Sequence, residues 1–332
     1  MEDLHLRALA LTCHPWRHGS PSSAYYLAQR DYRSARHYGG VLTTIDDAFL
    51  AAYDAVLAAR WPASTESAEI RTPYGTTHVN SVGPADAPPV VLLHGGGTTS
   101  TVWSDTARAL GTAYRVHAVD TVGEAGRSVA GERAIRTLGD QMAWLDAVLD
   151  AVLDGSGTSA VSLCGNSYGA WSALHYAAHA SGRVRALVLV DPTNCFIGFS
   201  RRYLLRALPM LLRPTVGRRR AFLEWETRRA ALDETWLRLY DRAAAFPAAR
   251  PLTGPRPGPE ALRALRLPVL LLLAEHSRAH DIGRVAASAA ALLPRVETAV
   301  LPGATHHTLP LAAPPEMDAR IEEFLAAHGR DD

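Results

Sequence analysis

Short, nearly continuous apolar runs recur along the chain, and longer stretches of helical character separate them. The runs occupy residues 89–93, 115–119, 160–164, 184–190 and 268–274. An apolar run of this length is typical of a strand that is buried on both faces of a sheet. Between and after these runs we predict helices at 101–110, 138–153, 168–180 and 282–293. Strands that alternate with helices predict right-handed crossovers and a mostly parallel, twisted sheet flanked by helices.

Further elements are predicted on both sides of this series. Residues 69–72 and 77–82 flank a Pro-Tyr-Gly turn, and this pattern predicts a β-hairpin. Residues 297–301 are predicted to form the last strand, and residues 315–328 the closing helix. In this count the run at 184–190 is the sixth predicted strand.

One long stretch breaks the alternation after the sixth predicted strand. Residues 195–265 contain no convincing strand, but helical pieces at 204–212, 221–229 and 235–245 and a proline-rich link at 251–259. We interpret 195–265 as a helical cap inserted into the sheet domain. The predicted core then comprises residues 65–194 and 266–332.

Residues 1–64 are predicted to be an N-terminal helical extension of that core. Their first part is polar, and residues 48–60 then form a helical pattern that follows the acidic pair Asp46-Asp47 and ends before Pro62. We expect this helix to pack on the main domain, and we assign no separate function to the segment.

The composition disfavours several classes of function. The formal net charge is +1, which gives no global electrostatic reason to expect nucleic acid or a membrane as a partner. The cysteines Cys13, Cys164 and Cys195 form neither a disulfide framework nor a paired metal site. The histidines lack the spacing of a metal motif, so we expect no metal and no cofactor. The acidic start and the absence of a long apolar segment predict a soluble, cytoplasmic protein.

A nucleophile motif follows one of the predicted strands. The run Gly-Asn-Ser-Tyr-Gly at 165–169 follows the apolar run at 160–164 and opens a helical stretch. A serine hydroxyl becomes a useful nucleophile only with a base, a group that orients the base, and donors for the oxyanion. A Gly-x-Ser-x-Gly turn between strand and helix exposes the serine oxygen above the sheet. We therefore predict that Ser167 is a nucleophile, the alternative being a structural serine in a tight turn.

A glycine-rich loop at 94–97 follows the predicted strand at 89–93. Glycines after a strand can turn backbone N–H groups toward a ligand, which predicts an oxyanion hole from the N–H groups of Gly96 and Tyr168. A flexible polyglycine loop is the alternative. A phosphate-binding loop is disfavoured, because no Gly-Lys-Ser/Thr sequence follows and the chain contains no lysine.

These motifs, in this order, resemble the α/β-hydrolase superfamily over residues 69–328. The glycine loop is followed by an Asp-x-x-Gly-x-x-Gly-x-Ser stretch at 120–128, one residue longer than the family pattern, then by the elbow at Ser167 and a late histidine. Trp103, nine residues after His94, also matches capped members of the family. The resemblance implies an α/β-hydrolase fold that works without a cofactor. The residues expected to border the substrate are His94, Gly95, Gly97 and Trp103.

The resemblance also indicates the catalytic base. His306 follows the last predicted strand, where the family carries its histidine, and a Pro-Pro-Glu sequence at 314–316 stands at the usual interval before the closing helix. His307 is the alternative, and Thr305 occupies a position where family members commonly have glycine. We predict that His306 takes the proton of Ser167.

The acid partner of the histidine is where this chain departs from the family. The resemblance places it in the loop after residues 268–274, where Ser277 stands at the position of the expected aspartate. A serine hydroxyl cannot stabilise an imidazolium as a carboxylate does. Asp191 follows the sixth predicted strand, where haloalkane dehalogenases and some other members carry the acid. We prefer Asp191 over Asp281, which is also a good helix N-cap, and over Glu275.

This set of residues predicts acyl transfer to water, and hence hydrolysis of a small-molecule ester, lactone or thioester by a carboxylic ester hydrolase. The serine nucleophile disfavours epoxide hydrolase and haloalkane dehalogenase chemistry, for which the family uses aspartate. A carbon–carbon bond hydrolase, or a biosynthetic cyclase or acyltransferase, is an alternative on the same scaffold. A receptor that keeps the triad but turns over little is another.

The predicted cap is rich in arginine. Residues 200–265 carry fourteen arginines and six carboxylates, with aromatic residues interleaved. A basic, aromatic lid could favour an anionic or ring-bearing acyl group, or a phosphopantetheine carrier. We prefer the alternative that most of these arginines lie on solvated faces, because arginine is the main cation of this chain. The sequence leaves a homodimer open.

Overall fold

The computed structural model describes residues 35–38, 41–44, 46–246, 252 and 254–329. The described part begins with an antiparallel hairpin of β1 (Ala35–Tyr38) and β2 (Val41–Thr44), which the sequence did not predict. Helix α1 (Asp47–Arg60) follows, in agreement with the helix predicted at 48–60. Cys13 and the rest of the N-terminal segment before residue 35 lie outside the described residues.

Nine strands form one sheet in the described part of the chain. They are β3 (Glu66–Thr72), β4 (Gly75–Val82), β5 (Pro89–Leu93), β6 (Arg115–Val119), β7 (Val129–Ala130), β8 (Val161–Asn166), β9 (Val184–Val190), β10 (Val269–Ala274) and β11 (Val296–Leu301). Their order is β11-β10-β9-β8-β5-β6-β4-β3, with β7 paired to β4. The five pairs from β11 to β6 are parallel, and all pairs of β4 are antiparallel. The predicted mostly parallel sheet is confirmed.

Helices follow the strands as the alternation predicted. In the sheet domain these are α2 (Ser104–Leu110), α3 (Leu138–Leu153), α4 (Tyr168–His179), α9 (Ile282–Leu292) and α10 (Pro315–His328). The helix predicted at 101–110 is divided, because a 3₁₀ turn at Ser100–Trp103 precedes α2. Thr137 caps the N-terminus of α3 and forms a reciprocal capping box with Asp140, which satisfies two backbone donors at that end.

The central strands are apolar on both faces because both faces of the sheet are covered. Along β5, Val90 and Leu92 join one buried cluster, whereas Val91 and Leu93 join another. Successive side chains of a strand point to opposite faces, so a doubly covered strand has no polar face. This is why the apolar runs in the sequence showed no alternation.

Helix α1 contributes directly to one of these two cores. Its residues Phe49, Tyr53 and Val56 are buried in the cluster that also contains Val90 and Leu92 of β5. The hydroxyl of Tyr53 lies 2.9 Å from Ser100 Oγ and accepts a hydrogen bond of 2.7 Å from Asn80 Nδ2. A buried phenol usually finds such partners, and here they attach α1 to β4 and to the 3₁₀ turn before α2.

Four helices separate β9 from β10. They are α5 (Arg201–Leu212), α6 (Val216–Glu226), α7 (Glu234–Arg242) and α8 (Pro259–Ala264), with a 3₁₀ turn at Ala243–Ala245 after α7. We call these four helices the insertion. No strand occurs among its described residues. Its α7 packs against α1 and joins the same core through Trp236 and Tyr240.

No helix in the described part of the chain combines the length and the apolar character needed to cross a membrane.

Candidate active site

Five loops meet at the carboxyl edge of the parallel strands. They follow β5, β8, β9, β10 and β11, which lie side by side in the sheet in that order. Because parallel strands end at the same edge, residues that are far apart in the sequence come together there. This edge contains Ser167, Asp191 and His306.

The elbow at Ser167 is a tight strand-to-helix turn. Ser167 has φ +52° and ψ −112°, a strained conformation for a residue with a side chain. A Cβ on Gly165 would lie 2.4 Å from the carbonyl oxygen of Gly169, and a Cβ on Gly169 would lie 2.2 Å from that of Leu93. Both flanking glycines are therefore required by backbone contact, as the motif predicts.

Ser167, His306 and Asp191 form one hydrogen-bonded chain. Ser167 Oγ lies 2.9 Å from His306 Nε2. On the other side of the ring, His306 Nδ1 lies 2.6 Å from Asp191 Oδ2. Asp191 is fully buried and His306 nearly so. With the proton on Nδ1, the ring donates to the carboxylate and presents Nε2 as an acceptor to the hydroxyl.

The carboxylate of Asp191 receives four hydrogen bonds. Oδ1 accepts from the backbone N–H of Ala274 at 3.1 Å and lies 3.2 Å from His280 Nε2. Oδ2 accepts from Ser277 Oγ at 2.8 Å as well as from His306. Burial would raise the pKa of Asp191, but its donors His280 and His306 hold the pKa well below its usual range. The group is therefore an anion fixed in orientation.

Ser277 occupies the position where the resemblance placed an aspartate, and it donates its hydroxyl hydrogen to Asp191. The other two candidate acids point elsewhere. Asp281 caps α9, accepting the backbone N–H of Arg284 at 3.0 Å. Glu275 is exposed and accepts the N–H of Gly303 at 2.7 Å. The structure therefore brings Asp191 to His306 and leaves Asp281 and Glu275 in other interactions.

Two opposing effects act on the pKa of His306. Burial lowers the pKa, while the hydrogen bond to Asp191 and the negative charges of Asp191 and Glu226 raise it, and the net result is a raised pKa. The ring of His307, the alternative base, lies beside Glu226, with its Nδ1 3.2 Å from Glu226 Oε2. Only His306 of this pair is hydrogen-bonded to Ser167.

The glycine loop after β5 lies against the nucleophile elbow. Gly95 and Gly96 border the same cavity as Ser167 and His306. A Cβ on Gly96 would lie 3.7 Å from the Cβ of Tyr168, so the two predicted oxyanion donors belong to adjacent backbone segments. Gly97 points its N–H away, to the buried carboxylate of Glu124 at 3.0 Å.

Two residues that were predicted to border the substrate, His94 and Trp103, are buried. His94 is buried, with Nδ1 2.8 Å from the carbonyl oxygen of Gly95 and Nε2 accepting the N–H of Thr121 at 3.1 Å. It therefore connects the glycine loop to the loop after β6. Trp103 is completely buried in the core that α1 shares, and it does not border the cavity at Ser167.

Glu226, at the end of α6, is a site residue that the sequence reasoning missed. One carboxylate oxygen accepts the N–H of His306 at 3.2 Å. The other accepts the N–H of His307 at 2.8 Å and the hydroxyl of Thr305 at 3.2 Å. Burial would raise the pKa of Glu226, but the nearby His307, its hydrogen bonds to the carboxylate and the charge of His306 lower it to about 2. A carboxylate of the insertion thus holds the backbone of the histidine loop.

Replacing Glu226 with alanine should lower kcat roughly 100-fold with little change in KM, because a displaced His306 loses its alignment with Ser167. The backbone N–H groups of His306 and His307 would also lose their acceptor. Glu226→Gln retains an acceptor and should recover much of the rate. Steady-state kinetics of both variants checks this, with the exposed Glu224→Ala of the same helix as control. If Glu226→Ala lowers only the melting temperature and folded enzyme keeps its kcat, Glu226 has no positioning role.

The cavity beside Ser167 is small. It measures about 30 Å³ and is bordered by the glycine loop, the elbow, the histidine loop and Trp236 of α7. The lining of this space therefore comes from both the sheet domain and the insertion.

A serine elbow after a central parallel strand, with a histidine and a carboxylate from later strands at the same edge, defines the architecture of an α/β hydrolase. The sequence model of the alpha/beta hydrolase family matches residues 90–320, which is more than half of the chain. The chain belongs to this family, and the fold predicted from the resemblance is confirmed.

Two relatives from Bacillus subtilis (strain 168) are similar over most of their length. An uncharacterized carboxylesterase, nap, is 29% identical over 277 residues, which are 80% of this chain and 89% of the relative. Carboxylesterase YbfK is 27% identical over 300 residues, covering 83% and 93%. The crystal structure of naproxen esterase (carboxylesterase NP) from Bacillus subtilis gives a TM-score of 0.77 at 27% identity, covering 86% of this chain and 99% of that chain.

Proposed function

We propose that the protein is a carboxylic ester hydrolase in which Ser167 is the nucleophile, His306 the general base and Asp191 the acid of the triad. The observation that carries the proposal is the continuous contact from Ser167 Oγ through the His306 ring to Asp191, at 2.9 and 2.6 Å. The similarity to carboxylesterases over most of the chain supports ester hydrolysis as the reaction.

In the acylation step, His306 Nε2 takes the hydroxyl proton as Ser167 Oγ attacks the ester carbonyl. The imidazolium is stabilised by the Asp191 carboxylate, which stays ionised. Collapse of the tetrahedral intermediate breaks the ester C–O bond, and His306 gives the proton to the departing alcohol. In deacylation the same nitrogen takes a proton from water, the resulting hydroxide attacks the acyl-enzyme, and the proton returns to Ser167.

The negative charge that develops on the carbonyl oxygen needs fixed donors. We assign this part to the backbone N–H groups of Gly96 and Tyr168. The cavity beside Ser167 is bordered by Gly96, and Tyr168 begins α4, so its N–H belongs to the free donors at a helix N-terminus. Such donors stabilise the transition state most when they are held in advance. The contacts of His94 with Gly95 and Thr121 and of Glu124 with Gly97 hold the glycine loop in place.

The proposed substrates are small-molecule carboxylic esters. Lactones and thioesters present the same carbonyl to the nucleophile and are included in the proposal. The chemistry proposed here uses only side chains and backbone groups of this chain, and water is the second substrate.

The test combines turnover with covalent trapping. We expect the purified protein to hydrolyse short p-nitrophenyl esters and to be labelled once per chain by a fluorophosphonate, with Ser167 as the modified residue in a peptide mass map. Prior labelling should remove the esterase activity in proportion. Turnover that survives complete labelling of Ser167 would contradict the mechanism. Stoichiometric labelling without turnover of any ester would point to a receptor instead.

Product analysis separates hydrolysis from the other reactions available to this scaffold. With a linear hydroxyacyl thioester, a hydrolase yields the free acid, whereas a cyclase yields the lactone with release of the same thiol. We expect the free acid to dominate.

A further inference from the structure

Exposed apolar surface is concentrated on one helix of the insertion. Among the described residues, eight large apolar side chains are exposed, and seven of them lie between residues 199 and 216. Helix α5 carries five of these, Leu204, Leu205, Leu208, Leu211 and Leu212. Leu205 is 72% and Leu212 75% exposed. Single exposed leucines need no explanation, but a group of five on one helix does.

The leucines lie on the side of α5 that faces away from the protein. The inner side is formed by Tyr203 and Ala207, which are buried, and by Met210. These three positions recur at the spacing of four and three residues, as one face of an α-helix requires. The ring of Tyr203 packs edge-on against His306, with centroids 6.2 Å apart. The helix thus has two apolar sides, one on the proposed active site and one without a partner in the described structure.

Arginines flank these leucines, and α5 itself carries no acid. Residues 199–223 contain seven arginines and neither aspartate nor glutamate. Arg220 pairs with Asp241, and Arg219 covers the ring of Tyr240 at 4.3 Å and donates to Gly97. The remaining five are exposed, namely Arg201, Arg202, Arg206, Arg213 and Arg218. The net charge of +1 for the whole chain therefore conceals a strongly basic local surface.

We propose that the outer face of α5 docks on an anionic lipid surface, with its leucines in the interface and its arginines on the lipid headgroups. An exposed apolar helical face flanked by arginines and free of carboxylates is the pattern of a helix that lies in the plane of a membrane interface. Arginine near an anionic leaflet adds electrostatic attraction. The helix lies on the surface and does not span the bilayer.

Charge decides between a lipid surface and a second copy of this chain. In a twofold dimer formed through α5, the same patch would face itself. Arginines without carboxylates would then oppose arginines, and like charges across an interface are unfavourable. An anionic lipid supplies the complementary charge that a second copy lacks.

Docking would bring the proposed active site close to the lipid, because Tyr203 on the inner side of α5 contacts His306. Esters that partition into lipid would be concentrated at the helix that covers the catalytic histidine. The docking proposal itself concerns binding only and is independent of the esterase activity.

The charge component is tested with vesicles of phosphatidylcholine alone and of phosphatidylcholine mixed with phosphatidylglycerol. In a flotation assay, the protein should bind the anionic vesicles, bind the neutral ones much less, and dissociate at high salt. The double variant Arg202→Gln with Arg206→Gln should bind roughly 30-fold more weakly. The matched control, Arg284→Gln with Arg295→Gln, removes two exposed arginines outside the insertion and should bind like the unmodified protein. Equal loss in both double variants would mean attraction by overall charge and would overturn the proposal.

The apolar component is tested with Leu205→Gln combined with Leu212→Gln, which should weaken binding about tenfold. Both side chains are largely exposed, so the melting temperature should stay the same. Val300→Thr is the control and should bind normally, since Val300 is the one exposed large apolar residue outside 199–216 in the described part of the chain. Absence of binding to anionic vesicles overturns the proposal. So does a dimer in sedimentation equilibrium that the leucine variant converts to a monomer, since a second copy would then occupy this face.

Discussion

Alanine at position 167 should reduce kcat for a short p-nitrophenyl ester by about 10⁶-fold. The substitution removes the only atom of the proposed site that forms a covalent bond with the substrate, and water at the same place lacks the alignment with His306 Nε2. The residual rate should come from binding and from the oxyanion donors. The measurement is release of p-nitrophenolate under saturating substrate, with fluorophosphonate labelling of the variant as a second readout.

A serine from the same strand provides the control. Ser162 lies on β8, five positions before Ser167, and its buried hydroxyl has no hydrogen-bond partner among the described residues. Ser162→Ala therefore loses no hydrogen bond and should keep full activity. If Ser167→Ala retains turnover well above buffer while its melting curve matches that of Ser162→Ala, the nucleophile assignment fails.

The second large effect is expected at Asp191. Asp191→Asn should lower kcat about 10⁴-fold, because an amide cannot stabilise the imidazolium and permits the wrong tautomer of His306. Steady-state kinetics should show the loss mainly in kcat.

The control is Asp281→Asn, at the other candidate acid. Asparagine caps a helix as well as aspartate does, so this variant should keep both its activity and its stability. Full activity in Asp191→Asn combined with a large loss in Asp281→Asn would reverse the assignment.

The pH profile gives an independent signature of the same contact. His306 must be neutral to act as a base, and its pKa is raised above the usual 6.5. The value of kcat/KM should therefore rise with pH and have its midpoint above 6.5 in the unmodified enzyme. In Asp191→Asn the attraction of the carboxylate is lost, while burial still lowers the pKa. The midpoint should move to lower pH, although Glu226 remains near the ring and His280 and His307 also face it. An unchanged midpoint would mean that Asp191 does not interact with the base.

The fold was largely predictable because its signals are local. The apolar runs of the central strands, the elbow glycines and the glycine loop are all contiguous in the sequence. Buried strands show as continuous apolar runs, and a Gly-x-Ser-x-Gly turn is recognisable because backbone contact allows only glycine there. The elements that were missed are β1, β2, the two-residue β7 and the six-residue α8, which are short and lack such a pattern.

The surroundings of the site were much less predictable. Glu226 holds the histidine loop, and His280 contacts the Asp191 carboxylate. Neither lies in a motif, and Glu226 is one acid in an insertion rich in charge. The interactions among Asp191, Glu226, His280 and His306 join four separate segments of the chain. No local spacing in the sequence predicts that these segments meet. The same holds for Trp103, whose agreement with a family pattern did not reveal that it is buried in the core.

The arginines of the insertion also show what the sequence could not predict. Their number was apparent from the sequence, but whether each one pairs with an acid or faces solvent was not. The leucines of α5 fit an ordinary helical pattern, and only packing showed that Tyr203, Ala207 and Met210 occupy the inner side. A surface helix usually buries one apolar face. The second apolar face of α5 could therefore be identified only once the buried face was known.

The amino-acid sequence alone established the parallel sheet, the serine elbow and the order of the motifs, because strand burial and backbone sterics act between near neighbours in the chain. Only the tertiary structure decided which carboxylate meets His306, which acid supports its loop, and which side of α5 faces outward. Those outcomes depend on contacts of the loops after β9, β10 and β11 with one another and with the insertion. Such contacts join residues that are far apart in the sequence: Asp191 and His306 are more than a hundred positions apart but form a hydrogen bond.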